Sequence, residues 1–360
     1  MTGGSAPGPR ARCVRLAGRF CARSGLLGPL RALANRIEPR QSVLGFPVVR
    51  RRRSRNVQIL LFHRVRPEPD PYLPAMPVED FARQLECLRR RFRVCSLEEA
   101  LDGVERGDVP ENAVVITFDD GYRDNFDHAF PILRTLGLPA TFFLATGVIS
   151  GRSVLWHDRV FRAFALTSER CLGLFGDSTA GYPLSGPAAR ATARDSVLAY
   201  LKTLHPLERD ARIDELVRRL AVADEEPDER LMLTWDEVSR MARGGCRFGA
   251  HTVTHPVLSR LSRDEARQEL VESRRAIEER LGEPCLALAY PNGRPADYSS
   301  AVKTLAREAG YRWALSTVFG AHPARGADGP GDPFEIRRMG IGECDPDLYL
   351  AKMTLYKFLG

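Results

Sequence analysis

The 360-residue sequence lacks any apolar run of the roughly 18 residues that a membrane-spanning helix needs. It also lacks the ordered charged, apolar and small-residue regions of a secretory signal. A cytoplasmic location is therefore our default expectation. A lipid surface would then be reached only by peripheral contact.

Closely spaced cysteines and internal repeats are also missing. The eight cysteines are scattered along the chain without metal-type spacing: Cys13, Cys21, Cys87, Cys95, Cys171, Cys246, Cys285 and Cys344. Such scatter indicates free thiols in a reducing compartment rather than a disulfide framework. The lack of a repeat argues against a solenoid.

Acidic residues are almost absent from the N-terminal arm, residues 1–56. Up to Arg55 it carries thirteen arginines and one glutamate, a net charge of +12. Because the whole chain has a net charge of +7, the remaining residues carry 7 − 12 = −5. We predict a disordered arm that can contact an anionic membrane. The alternative is an upstream start codon that adds residues without a structural role. We expect no nucleic-acid partner, because the arm has only two aromatic residues and no recognisable reading module.

Two neighbouring carboxylates, Asp119 and Asp120, follow a short apolar strand and precede the turn residue Gly121. Neighbours on a strand point to opposite faces. At a strand end, however, both carboxylates can reach one rim. Asp-Asp-Gly is also a common turn sequence, so the pair alone leaves a site and a turn both open.

Two histidines four residues apart, His251 and His255, lie more than a hundred residues later. They follow a strand-like run and precede Pro256, so a rim loop fits as well as a helix face. A catalytic zinc takes three ligands from His and Asp or Glu, leaving a position for water whose pKa falls to about 7. One Asp and two His satisfy that requirement, and the other Asp is free to act as a base. Incidental histidines are the alternative.

Strand-like and helical patterns alternate along the chain. The strand-like runs lie near residues 57–62, 113–118, 140–144, 246–250, 286–290 and 313–316. Helical patterns cover residues 78–91, 125–136, 263–281 and 299–309. This alternation predicts an α/β barrel of parallel strands with one shared rim for the site.

On these motifs the sequence resembles the polysaccharide deacetylase family, the hydrolases of NodB homology. Thr117 to Tyr122 is similar to the first family motif and His251 to His255 to the second, within a resemblance over about residues 57–340. The resemblance implies that Asp119 is the catalytic base and that Asp120, His251 and His255 hold a divalent metal, most often zinc. It also implies a distorted, incompletely closed TIM-like (β/α)7 barrel, which we assign to a domain of residues 57–360.

The third motif departs from the common family pattern. In many members it begins with an arginine that orients the base, but Ala289 stands here, followed by Tyr290, Pro291 and Asn292. The exopolysaccharide deacetylase subgroup shares an Ala-Tyr-Pro form, so the resemblance is nearest to that subgroup. We predict that Tyr290, Pro291 and Asn292 contact substrate or the oxyanion, with the backbone N–H of Asn292 as a donor. A plain turn is the alternative.

The late family histidine that protonates the leaving amine has no clear counterpart in this sequence. His63 and His322 are the candidate substitutes. Arg338 could orient Asp119 or steer an anionic substrate, although a basic pair at a strand end is also typical of a solvated surface.

A change of pattern between about residues 151 and 232, opened by Trp156-His157-Asp158, predicts a helical insertion. It either covers the cleft or packs away from the chemistry. The expected function is metal-dependent N-deacetylation of an acetylated carbohydrate. The alternatives are hydrolysis of another C–N bond, such as that of a non-polymeric amide or formamido sugar, and carbohydrate binding without turnover. The sequence makes no prediction of oligomeric state.

Overall fold

The computed structural model describes residues 56–68, 75–151, 154–173, 175, 180–223, 230–324 and 331–340. The predictions made for the basic arm lie outside the described residues, apart from Asn56. Within the described part of the chain, no helix combines the length and the apolar character that a membrane crossing requires.

Twelve strands are named along the described chain. They are β1 (Gln58–Phe62), β2 (Val65–Arg66), β3 (Met76–Pro77), β4 (Arg93–Val94), β5 (Ala113–Phe118), β6 (Thr141–Leu144), β7 (Cys171–Leu172), β8 (Tyr182–Pro183), β9 (Arg247–Ala250), β10 (Ala287–Ala289), β11 (Trp313–Phe319) and β12 (Ile336–Gly340).

The α-helices alternate with these strands. They are α1 (Val78–Arg91), α2 (Leu97–Arg106), α3 (Phe130–Leu136), α4 (Trp156–Leu166), α5 (Pro187–Leu201), α6 (Pro206–Arg219), α7 (Trp235–Arg243), α8 (Arg263–Leu281) and α9 (Ser300–Glu308). Capping boxes begin α7 at Thr234 and α8 at Ser262, where Glu237 and Glu265 return the bond to the cap backbone.

Seven parallel strands form a ring in the order β1, β12, β11, β10, β9, β6 and β5, and β5 pairs again with β1. The predicted α/β barrel of seven strands is confirmed. The expected open seam is absent from this ring, because β1 and β5 pair along five consecutive residues. The distortion lies elsewhere: a single residue pair, Leu288 with Ala250, joins β10 to β9, and the β11–β12 register shifts between Leu315 and Phe319.

Alternate residues of each strand face the inside and the outside of the ring, as the pleat requires. On β5, Val115 belongs to the inner cluster, whereas Val114 and Ile116 belong to the outer cluster beneath the helices. Helix α2 contributes to the inner cluster together with Val57 and Ala113, which lie at the amino ends of β1 and β5. The helix therefore closes that end, and the carboxyl ends of the strands are left to form the rim.

Helices α4, α5 and α6 and the β7–β8 hairpin occupy the region that we predicted as an insertion. Their buried side chains form a separate apolar cluster: Trp156, Val160, Ala163, Phe164, Leu172, Phe175, Leu184, Ala193, Val197, Leu198, Leu201, Ile213, Leu216, Val217 and Leu220. The two ends of the region meet at the rim, where Ser150 N–H donates to Leu233 O (2.9 Å) and Leu233 N–H donates to Gly121 O (2.9 Å). The insertion thus stands on the active side of the barrel.

Candidate metal and catalytic centre

The neighbouring carboxylates Asp119 and Asp120 lie together at the carboxyl end of β5. Asp119 N–H continues the strand pairing by donating to Phe62 O (3.0 Å). Asp120 then adopts a left-handed backbone conformation (φ 76°), and Gly121 follows with φ 84°. Because the strand geometry ends at Asp120, its side chain is not forced to the face opposite Asp119. Both carboxylates are almost fully buried.

The loop after β9 carries the two histidines. His251 N–H donates to Leu144 O (2.8 Å), and Thr252 (φ 65°) and His255 (φ 56°) then take left-handed conformations. Thr252 Oγ1 accepts the N–H of His255 (3.1 Å), and Glu269 on α8 accepts the N–H groups of the two residues between them. These bonds hold a strained loop, of the kind that is concentrated at functional sites.

Asp120, His251 and His255 offer three ligand atoms that lie within 4.8 Å of one another. Asp120 Oδ1 is 3.4 Å from the Nε2 atoms of both histidines, yet this buried oxygen accepts no hydrogen bond within the described structure. His251 Nδ1–H donates to Ala289 O (2.7 Å), which leaves the lone pair of its Nε2 directed to the site. Two imidazole nitrogens and a carboxylate oxygen fit a divalent cation such as zinc.

Electrostatics at the site favour an ionised Asp120. Burial opposes its ionisation, but the nearby imidazoles of His251, His255 and His63 hold the pKa of Asp120 well below its usual range. Burial lowers the pKa of His255 as well. In His251 burial is outweighed by Asp119 and Asp120, which raise its pKa.

Asp119 is held from the far side by Arg338 on β12, which is completely buried. Arg338 Nη1 and Nη2 donate to the two carboxylate oxygens of Asp119 at 2.7 and 2.8 Å, and Arg338 Nε donates to Ser316 O (3.0 Å). The bidentate pair fixes the plane of the carboxylate. Arg338 thus contacts Asp119 rather than lying on a solvated surface.

The two histidines considered as proton donors lie at opposite ends of the barrel. His63 follows β1 at the rim, where its side chain is exposed and its carbonyl accepts from Asn125 Nδ2 (2.8 Å). His322 is buried, and its backbone pairs with Val57, at the amino end of β1. The prediction of His322 as a substitute acid is wrong, because the length of the barrel separates it from the carboxylates.

Tyr290 is not available to a substrate, which corrects its predicted role. Its side chain is fully buried and stacks on Tyr298, its hydroxyl donates to Phe334 O (3.1 Å), and its N–H donates to Leu315 O. Pro291 is buried and has no N–H. Asn292 (φ 61°) differs, since within the described structure neither its N–H nor its buried side-chain amide donates a hydrogen bond.

Sequence reasoning did not assign Trp156, His157 and Asp158 to the site. Trp156 Nε1–H donates to His255 O (3.0 Å), and the ring centroids of His157 and His255 are 5.0 Å apart. Tyr122 O–H donates to Asp158 Oδ1 (2.9 Å). Burial lowers the pKa of His157 to about 4 and raises that of Asp158 to about 7. The run of Trp, His and Asp at the start of the insertion was the sequence feature that could have assigned these residues to the site.

The chain belongs to the polysaccharide deacetylase family, because the model of that family matches residues 106–169 and 190–314, just over half of the chain. The two matched stretches include both carboxylates and both histidines. The unmatched residues 170–189 lie inside the region predicted as an insertion, and run from the segment after α4 into the first turn of α5.

Individual relatives are more distant. YxkH of Bacillus subtilis is 20% identical over 211 residues, 59% of this chain and 47% of YxkH. The poly-beta-1,6-N-acetyl-D-glucosamine N-deacetylase of Staphylococcus epidermidis is 35% identical over 72 residues, 20% of this chain and 25% of that enzyme. The chain thus spans no more than about half the length of these curated relatives.

The same fold occurs in a solved structure, the Streptococcus pyogenes deacetylase PplD in complex with acetate. Its TM-score is 0.56 at 20% identity, and the alignment covers 83% of this chain and 99% of PplD. At this identity the similarity concerns the fold.

Proposed function

We propose that this chain is a metal-dependent hydrolase that removes N-acetyl groups from amino sugars of a polysaccharide or glycoconjugate. One observation carries the proposal: three ligand atoms from Asp120, His251 and His255 lie within 4.8 Å of one another, beside a second carboxylate, Asp119, held separately by Arg338. A binding site for a cation needs only the first group, whereas hydrolysis needs both.

Asp120, His251 and His255 would hold the divalent metal, and their nitrogen and oxygen donors suit zinc. Such a metal supplies Lewis acidity, which polarises the acetamide carbonyl and eases deprotonation of water. Asp119 accepts the proton of the attacking water, with its carboxylate oriented by Arg338. The water oxygen bonds to the carbonyl carbon, the C–N bond breaks, and acetate and a free amine result.

Two further groups complete this scheme. The backbone N–H of Asn292 donates to the oxygen that becomes negative in the tetrahedral state. His63 gives a proton to the leaving amine. Its side chain is exposed at the rim, and it is near enough to Asp120 to help lower the pKa of that carboxyl group. We assign the acid to His63 on this position.

Acetate release from poly-β-1,6-linked N-acetylglucosamine, in the presence of zinc, tests the proposal. That polymer is the starting substrate because the Staphylococcus epidermidis relative is named for it. We expect Asp119→Asn to lose at least about 10³-fold in kcat while keeping its metal. Asp120→Ala should lose both activity and metal.

Bound zinc, measured by elemental analysis, separates the two roles. His128→Ala, a partly buried histidine outside the site, serves as the matched control and should resemble the wild-type chain. Equal acetate release by wild type, Asp119→Asn and Asp120→Ala would show the assignment to be wrong. Activity on a different C–N bond, with the same dependence on these residues, would redirect it to another amide.

A further inference from the structure

The first helix of the insertion is fastened to the loop that carries a proposed metal ligand. Trp156 at the start of α4 donates its indole N–H to the backbone carbonyl of His255 (3.0 Å), and only 5% of its surface is exposed. The buried Arg209 of α6 places its guanidinium 4.8 Å over the Trp156 ring. The packing of the insertion therefore holds the next residue, His157, beside the centre.

The hydrogen bonds of Tyr122 determine which nitrogen of His157 is protonated. Tyr122 uses its single hydroxyl hydrogen to donate to Asp158 Oδ1 (2.9 Å). Its oxygen, 3.2 Å from His157 Nε2, can then only accept, so Nε2 carries the hydrogen. The lone pair of the neutral imidazole is consequently on Nδ1, which has no hydrogen-bond partner among the described residues.

His157 is next to the proposed metal ligands without being one of them. Its ring meets that of His255 edge to face at 5.0 Å, but the group of described ligand atoms consists of Asp120, His251 and His255 only. Its side chain retains 15% exposure, whereas the three ligands are exposed by 6% or less. A fixed hydrogen-bond acceptor therefore borders the centre on the side of the insertion.

We propose that His157 is a substrate-binding residue, whose Nδ1 accepts a hydrogen bond from a hydroxyl group of the sugar that bears the reacting acetamido group. The inference rests on the proposed function for the class of substrate. In this proposal the insertion forms one wall of the binding site and selects among acetylated sugars. The barrel rim supplies the reacting groups.

Binding rather than turnover tests this role. In the full-length Asp119→Asn chain loaded with zinc, calorimetry with a β-1,6-linked N-acetylglucosamine oligomer compares His157→Ala, His157→Gln and the control His128→Ala. Removing the acceptor should weaken binding about 10-fold. Glutamine, whose side-chain oxygen is also an acceptor, should recover part of that loss, and His128→Ala should bind as the parent does. Zinc content should be equal in all four proteins.

In otherwise wild-type chains the same substitution should raise KM about 10-fold and change kcat little. Unchanged Kd and KM in His157→Ala would overturn the inference, and so would a loss of zinc, because His157 would then act through the ligands. If His157→Ala weakens oligomer binding but wild type releases no acetate, the inference stands and the deacetylase proposal fails. If the parent binds no acetylated oligomer, both fail.

Discussion

The barrel rim and the helical insertion solve different structural problems. Four of the seven described non-glycine residues with positive φ lie on the rim around the centre: Asp120, Thr252, His255 and Asn292. The insertion consists of three helices and a short hairpin around its own apolar cluster. Strained backbone is thus concentrated where side chains must converge, and the closed barrel supplies the rigidity that maintains it.

Two hydrogen bonds join these regions beside the centre. The insertion reaches the rim through Trp156, which bonds the His255 carbonyl, and through Asp158, which bonds Tyr122. A largely self-contained helical unit can therefore contribute to the site without providing a metal ligand among the described residues. We therefore expect substitutions inside the rim to reduce both activity and stability. Substitutions in the apolar cluster of the insertion should reduce mainly stability.

The largest effect should follow from Arg338→Met. It leaves the buried carboxylate of Asp119 without its partner, which we expect to lower the free energy of unfolding by about 3–5 kcal/mol. Acetate release should fall as well, because Asp119 loses its orientation. Urea denaturation and the acetate assay measure the two effects.

The double variant Asp119→Asn/Arg338→Met is the matched control. With both charges removed, much of the lost stability should return, since the cost comes from the unpaired charge. A double variant as unstable as Arg338→Met would contradict this explanation.

Leu201→Ala tests the insertion by itself. Leu201 is fully buried in the insertion cluster, so a cavity there should cost about 2–5 kcal/mol. Zinc content and kcat at a temperature where the protein remains folded should not change. A loss of zinc in this variant would show that the two regions are more tightly coupled than their contacts indicate.

Gly121→Ala should be less damaging, at about 1–3 kcal/mol, but more harmful than Gly107→Ala. Both glycines have φ near 80°, yet a Cβ at Gly121 would lie 3.0 Å from the side chains of Leu144 and Ile149, whereas none of the atoms described around Gly107 lies within 4 Å. The difference in unfolding free energy isolates the steric part. Equal losses would mean that the rim adapts to the added methyl group.

The smallest change is expected for Trp156→Phe, which removes the hydrogen bond to the His255 carbonyl. The free energy of unfolding should fall by about 1 kcal/mol. Zinc affinity should fall several-fold, because the loop of His255 loses a constraint. Zinc titration of the variant against wild type provides the measurement, and unchanged affinity would restrict Trp156 to packing.

Much of the centre was predictable because its residues are grouped in short segments. Asp119 with Asp120, and His251 with His255, are local pairs at the ends of predicted strands, and parallel strands bring such ends to one rim. The seven-stranded barrel followed from alternating patterns together with the resemblance. What could not be predicted depends on long-range register.

Arg338 illustrates that limit. It is 219 positions from Asp119 in sequence. The sequence alone did not decide whether it orients Asp119, steers an anionic substrate or lies on a solvated surface. The pairing of β12 with β1 and β11 turns its side chain into the barrel, and a shift of one residue would direct it outward. Many family members have the orienting arginine at the position of Ala289. In this chain Arg338 on β12 contacts Asp119 instead.

The sequence by itself determined the chemical groups, namely a second carboxylate, a candidate set of metal ligands and the family to which the chain belongs, because those groups lie in contiguous motifs. The tertiary structure alone decided which remaining side chains accompany them. It placed Tyr290 in the core, His322 at the opposite end, and His157 beside His255. The reason is physical: strand register and helix docking set side-chain direction, and both are properties of the packed chain rather than of any local segment.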